Sequence, residues 1–104
     1  MDNKKYNIKY LPTFIYQLNN ILYHLTYVLK NKNAAERFRE EVIEKIEKRS
    51  ESPTSFEIFK NSKIEKTNWY RIYVKNYTIF YVVKNDVMEV RRIYYSIRSF
   101  EKLI

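Results

Sequence analysis

The stretch that most restricts the fold is the last third, from Trp69 to Ile104. Tyr70–Val74, Tyr77–Val83 and Val87–Tyr95 are rich in β-branched and aromatic residues, which suit a pleated, half-buried surface. Lys75-Asn76 separates the first two runs and Lys84-Asn85-Asp86 the last two. Links this short return the chain only as antiparallel hairpins, so a three-stranded meander is expected. The chain contains no glycine, which leaves Asn76 and Asn85 as the expected positive-φ residues of the two turns.

Side chains alternate across a strand, so Tyr77, Ile79, Tyr81 and Val83 share one face of the middle run, and Thr78, Phe80 and Val82 the other. Both sets are largely apolar, which makes this the central strand. In the first run Tyr70, Ile72 and Val74 fall on one side and Arg71 and Tyr73 on the other. Helices are therefore expected over the Tyr70 side and over Tyr77, Ile79 and Tyr81. Arg71, Tyr73, Thr78 and Phe80 are left facing away.

Upstream, Tyr6–Leu11 alternates like a strand until Pro12, and is expected to lie along the meander as a fourth strand. Pro12 suits a first helical turn, and Leu18, Ile21, Leu22, Leu25, Val28 and Leu29 follow at helical spacing, giving a helix over about Pro12–Leu29. After Lys30-Asn31-Lys32, Asn33 is the expected cap of a second helix, with Glu36 at its third position. Ala35, Phe38, Val42 and Ile46 form its apolar stripe, and its many Glu, Lys and Arg residues its solvated face. Ser52-Pro53 ends it. Phe56–Phe59 reads as a loop tucked on the core, and 60–63 as exposed chain. The expected architecture is α+β in one domain over 1–104: an N-terminal strand, a helical hairpin, then the meander.

The formal charge is +8, and residues 61–104 carry +5 of it. The strand-rich part is thus the expected surface for an anionic partner. Cysteine is absent, which removes disulfides and thiolate metal sites. His24, the one histidine, has no acid near it in sequence and reads as a surface or half-buried residue. No cofactor, metal or small-molecule ligand is expected. No signal-like start and no apolar run long enough to span a bilayer is seen, so a cytoplasmic protein away from the membrane is expected.

Three stretches together resemble the RelE/ParE superfamily of type II toxins, including its ParE-like plasmid stabilisation proteins. Asn33-Ala34-Ala35-Glu36-Arg37-Phe38 through Ser52-Pro53 is similar to the long second helix of ParE-type members. Tyr70-Arg71-Ile72 with Asn76–Val83 is similar to the paired central strands, and Ile93–Ile104 to the family's ending. The resemblance implies a β-α-α-β-β-β fold and a cognate antitoxin as partner. For ParE-type members it implies growth inhibition through DNA gyrase.

The ribosome-dependent ribonucleases of the superfamily hold and cut RNA with basic residues on the first two meander strands, a closing arginine and a C-terminal tyrosine. On that pattern Arg71 takes the first basic position and Arg98 the closing arginine, whereas Tyr73, Thr78, Ser99 and Ile104 depart from it. Cleavage by a 2′-hydroxyl needs a proton acceptor, a proton donor and cations for the phosphorane, a set these departures leave short. Arg71, Tyr73, Arg91, Arg92 and Arg98 are the expected binding residues. Arg71, Arg98 and Tyr95, with Tyr94 as its alternative, are the catalytic set if the protein is a ribonuclease. The favoured reading is a gyrase-directed toxin. The alternatives are an mRNA endoribonuclease acting on the ribosome and a non-toxic relative that keeps antitoxin binding.

Overall fold

The computed structural model describes residues 6–59 and 67–96. Strand β1 (Asn7–Tyr10) leads into helix α1 (Pro12–Tyr23), which continues as a π-helical segment, His24–Val28; helix α2 (Lys32–Arg49) follows. Strands β2 (Ile58–Phe59), β3 (Trp69–Val74), β4 (Tyr77–Lys84) and β5 (Val87–Tyr95) complete one sheet in the order β1-β5-β4-β3-β2. The meander is antiparallel, as the short links require, and β1 lies along it in parallel, against the first half of β5. A two-residue strand stands where the sequence suggested a loop. Ile58 and Phe59 pair with Tyr70 and Trp69, so the sheet has five strands and its order departs from β-α-α-β-β-β.

At the two hairpin turns positive φ falls on Lys75 (52°) and Asn85 (57°). Asn85 meets the expectation; Asn76 does not. Val74 pairs with Tyr77 and Lys84 with Val87, so each turn has two central residues, and the favoured hairpin turns need positive φ at the first of them. Lys75 and Asn85 are those first residues.

Both helices also correct the sequence reading. The α2 cap is Asn31, whose side chain accepts from the Ala34 amide at 3.0 Å, two residues before the expected Asn33. In the first helix the Leu29 amide donates to the His24 carbonyl at 2.9 Å, a π turn that carries one more residue than an α turn. The apolar stripe slips accordingly. Val28 and Leu29, expected on the core side, are 58% and 57% exposed, while Phe14, absent from the expected stripe, is buried.

The main core lies between the helical pair and the sheet. Phe14, Leu18, Phe38, Val42 and Ile46 meet Tyr70, Ile72, Val74, Ile79, Tyr81, Met88, Val90 and Ile93, with Tyr77 half-buried beside them. The register is therefore the one that period two demands: Tyr77, Ile79 and Tyr81 lie under the helices. Phe80 and Val82 face away, into a second, smaller cluster with Trp69.

Candidate nucleic-acid or protein interface on the cationic sheet face

On the face turned from the helices, alternation brings Arg71 and Tyr73 of β3 beside Phe80 of β4. On β5 the register slips between Phe80 and Tyr81. Phe80 pairs with Arg92 and Tyr81 with Val90, leaving Arg91 as an extra residue. Such a bulge breaks the strict alternation and lets two adjacent side chains serve one face. Val90 stays in the core, while the Arg91 guanidinium lies 5.3 Å from the centre of the Trp69 ring on the outer face. Arg92, opposite Phe80, shares that side. Three arginines from two strands thus converge on a floor of Trp69, Phe80 and Val82.

Each guanidinium is positioned. Arg71 stands over Phe59 at 4.9 Å and Tyr73 at 5.9 Å, a cation–π arrangement that holds a charge without neutralising it. Arg91 donates to Glu89 Oε1 at 2.8 and 3.2 Å, and those hydrogen bonds hold the Glu89 carboxyl below its ordinary pKa despite its partial burial. Arg92 donates to the Arg91 carbonyl at 2.9 Å. The Trp69 indole N–H is buried without a hydrogen-bond partner among the described residues.

Four of the expected binding residues, Arg71, Tyr73, Arg91 and Arg92, therefore share one face; Arg98 lies outside the described residues, as does Ile104. Tyr95 does not join them. It pairs with Tyr77, and the two rings meet edge-on at 5.5 Å on the helix side, because the bulge inverts the facing of everything after Arg91. Of the two adjacent β5 tyrosines, the one on the Arg71 face is Tyr94, 6.2 Å from the Phe80 ring. Thr78 is fully buried, and its hydroxyl shares a 3.0 Å hydrogen bond with Ser96. His24 is exposed on the π segment, on the first helix rather than on this face.

Sequence reasoning passed over Arg49, grouped with the solvated charges of α2. The structure stacks its guanidinium 3.5 Å from the Phe56 ring centre and aims it at the Tyr81 hydroxyl and the Arg71 carbonyl, at 2.8 and 3.0 Å. The signal was the stripe itself, since Arg49 follows Ile46 by three residues, one further step along the buried face. Among the described residues no helix is long and apolar enough to cross a membrane, and no cluster of acids and histidine could hold a metal ion.

The chain matches the family model described as the ParE toxin of the type II toxin-antitoxin system, parDE, over residues 8–99. No curated protein matches it in sequence. Among solved structures it is similar to a chain of the chromosomal ParDE TA system from P. aeruginosa, with a TM-score of 0.66 at 16% identity, covering 86% of this chain and 94% of that one. It is also similar to a chain of the RelB-RelE antitoxin-toxin complex from Methanococcus jannaschii, with a TM-score of 0.51 at 23% identity, covering 84% and 88%. At these identities the two structures speak for the fold.

Proposed function

From the premise that the chain belongs to the ParE toxin family of type II toxin-antitoxin systems, we propose that it inhibits growth by binding DNA gyrase through its cationic sheet face, without itself cutting a bond. The observation that carries this reading is Thr78. It stands where the ribonucleases of the superfamily carry a middle-strand arginine, and its side chain is buried and hydrogen-bonded to Ser96, so it offers nothing to a phosphate.

The rest of the face supports binding over cleavage. General base catalysis works best with a group that titrates near the operating pH. The face carries Glu89, whose carboxyl Arg91 holds below its ordinary pKa and so leaves a poor base. His24 stands on the π-helical segment, where it lines a cavity with Tyr77, Tyr94 and Tyr95 and with none of the arginines of the face, and Tyr95 lies across the sheet from Arg71. What remains is a rigid set of cations over aromatic rings, suited to recognition. A cognate antitoxin covers part of this face and offsets its charge in the inactive complex.

One observation favours the ribonuclease alternative: Tyr94 sets a phenol on the face that holds Arg71 and Arg92. Induction of the parent, Arg71→Ala and Arg98→Ala in a bacterial host separates the readings, with supercoiling and message cleavage followed side by side. Loss of supercoiling without position-specific message cleavage is the expected result. Message cleavage by the parent that disappears in both variants would make the protein an endoribonuclease. Growth unaffected by the parent would mark a non-toxic relative.

A further inference from the structure

We propose that the outer face of the first helix, centred on Tyr23 and Tyr27, is a contact between two copies of this chain. The contact needs neither antitoxin nor target, and it lies on a surface separate from the cationic sheet face.

Residues 12–29 contain no Asp, Glu, Lys or Arg, in a chain of which 31% is charged. Helix α1 and the π-helical segment occupy this stretch up to Val28. Phe14 and Leu18 turn one side of it into the core, and Tyr16, two residues from each, falls on the opposite side. Tyr23 follows Tyr16 by seven residues and Tyr27 follows Tyr23 by four, so the three form one stripe. They are 68%, 62% and 65% exposed, and Ile15, Val28 and Leu29 are about half exposed. Helix α2 is built the other way. Each of its exposed residues from Glu36 to Lys48 is charged.

Charge selects the partner. An acidic protein is drawn to the cationic sheet face, whereas two copies at +8 repel wherever their lysines and arginines meet. The uncharged stripe is where two copies approach without setting like charges together. A face that meets its own copy does so across a two-fold axis. The Tyr23 and Tyr27 rings already stand 4.8 Å apart, and that pair packs on the same pair of the second copy, with Tyr16 at the rim. The exposed Asn19 and Asn20 carboxamides offer partners to the phenol hydroxyls. Aromatic enrichment and depletion of charge are the composition of an interface core.

The area agrees. A tyrosine presents about 150–250 Å², so three of them two-thirds exposed offer on the order of 300–500 Å². Ile15, Val28 and Leu29 bring the face towards the roughly 800 Å² per partner of a standard interface. That size fits association in the micromolar range. The helices cover one side of the sheet and the arginines stand on the other, so this dimer leaves both cationic faces free and turned apart.

The test is sedimentation velocity of the purified chain across the micromolar range, with the parent, Tyr23→Lys, Tyr23→Glu and Tyr73→Lys compared. Circular dichroism confirms that each folds. Tyr73→Lys adds the same charge to an exposed tyrosine on the other side of the sheet. The parent is expected to dimerise with a micromolar dissociation constant, and Tyr23→Lys to weaken the dimer by at least about thirtyfold, the loss of a hot spot. Mixing Tyr23→Lys with Tyr23→Glu should restore the dimer, and Tyr73→Lys should behave like the parent. A parent that stays monomeric, a Tyr23→Lys variant that associates like the parent, a mixture that stays monomeric or an equal loss in Tyr73→Lys overturns the proposal. A monomeric parent that is recovered with the product of the small gene beside its own, while Tyr23→Lys is not, would give the face to the antitoxin instead.

Discussion

The Tyr81 hydroxyl donates to the Pro53 carbonyl at 2.7 Å and accepts from Arg49 at 2.8 Å, tying the centre of the sheet to the C-terminal end of α2 and the turn that follows. The phenol is wholly buried, so both bonds form in a low-dielectric setting where an unmet group is costly. Tyr81→Phe keeps the ring packing and removes both bonds. We expect a loss of about 1–3 kcal/mol, the cost of leaving a buried partner unsatisfied, measured by urea unfolding. A variant as stable as the parent would show that Arg49 and Pro53 find other partners.

Alkaline pH acts on the same group. Burial raises the Tyr81 pKa above its ordinary value and outweighs the lowering by Arg49; burial also raises Tyr10 and Tyr77, helped by Glu47 and Tyr95 respectively. A folded pKa above the unfolded one means stability that is complete below the unfolded value, near 10, and is lost as pH rises through the folded value. Phenolate absorbance should therefore show a late-titrating set of tyrosines that ionise together with unfolding. A single titration with every tyrosine at its ordinary value would contradict this.

Acid pH acts through Glu89, whose pKa the Arg91 hydrogen bonds lower. With the folded value depressed, the contribution is present above the unfolded carboxylate pKa and is lost as pH falls through the folded one. Glu89→Gln should flatten the acid side of the stability curve and leave the alkaline side unchanged. Thermal melts across the acid range compare the two proteins.

Register is tested by a pair of truncations. Ile79 is fully buried under the helices, so Ile79→Ala should cost about 2–5 kcal/mol, from lost transfer energy and the cavity left behind. Tyr16 is 68% exposed, and Tyr16→Ala should change stability by no more than about 0.5 kcal/mol. Equal effects at the two positions would mean that the helices do not cover the Ile79 side.

At the first hairpin, Lys75 holds a φ of 52°, a conformation Asn tolerates better than Lys. Lys75→Asn should stabilise the protein by roughly 0.5 kcal/mol, a fraction of the left-handed penalty. The same exchange at exposed Lys48, within α2, should not stabilise. Chemical denaturation of both variants decides the matter.

Local pattern alone determined a good deal of this protein. Two-residue links admit only hairpins, alternation places Ile79 and Phe80 on opposite faces whatever lies beyond, and Ala35, Phe38, Val42 and Ile46 line one face of any helix they form. Those are consequences of covalent geometry and period, so they survive into the fold unchanged. The tertiary structure decided what depends on a partner distant in sequence. The bulge at Arg91 is one such case: it exists only against Phe80 and Tyr81, yet it gathers Arg91 and Arg92 on one face and sends Tyr95 to the other. The π turn that swings Val28 and Leu29 outward is another departure from the period the sequence follows. Arg49 is the clearest. As a helix residue it is one cation among many, and only the arrival of Tyr81, Arg71 and Phe56 from three other segments makes it the joint between α2 and the sheet.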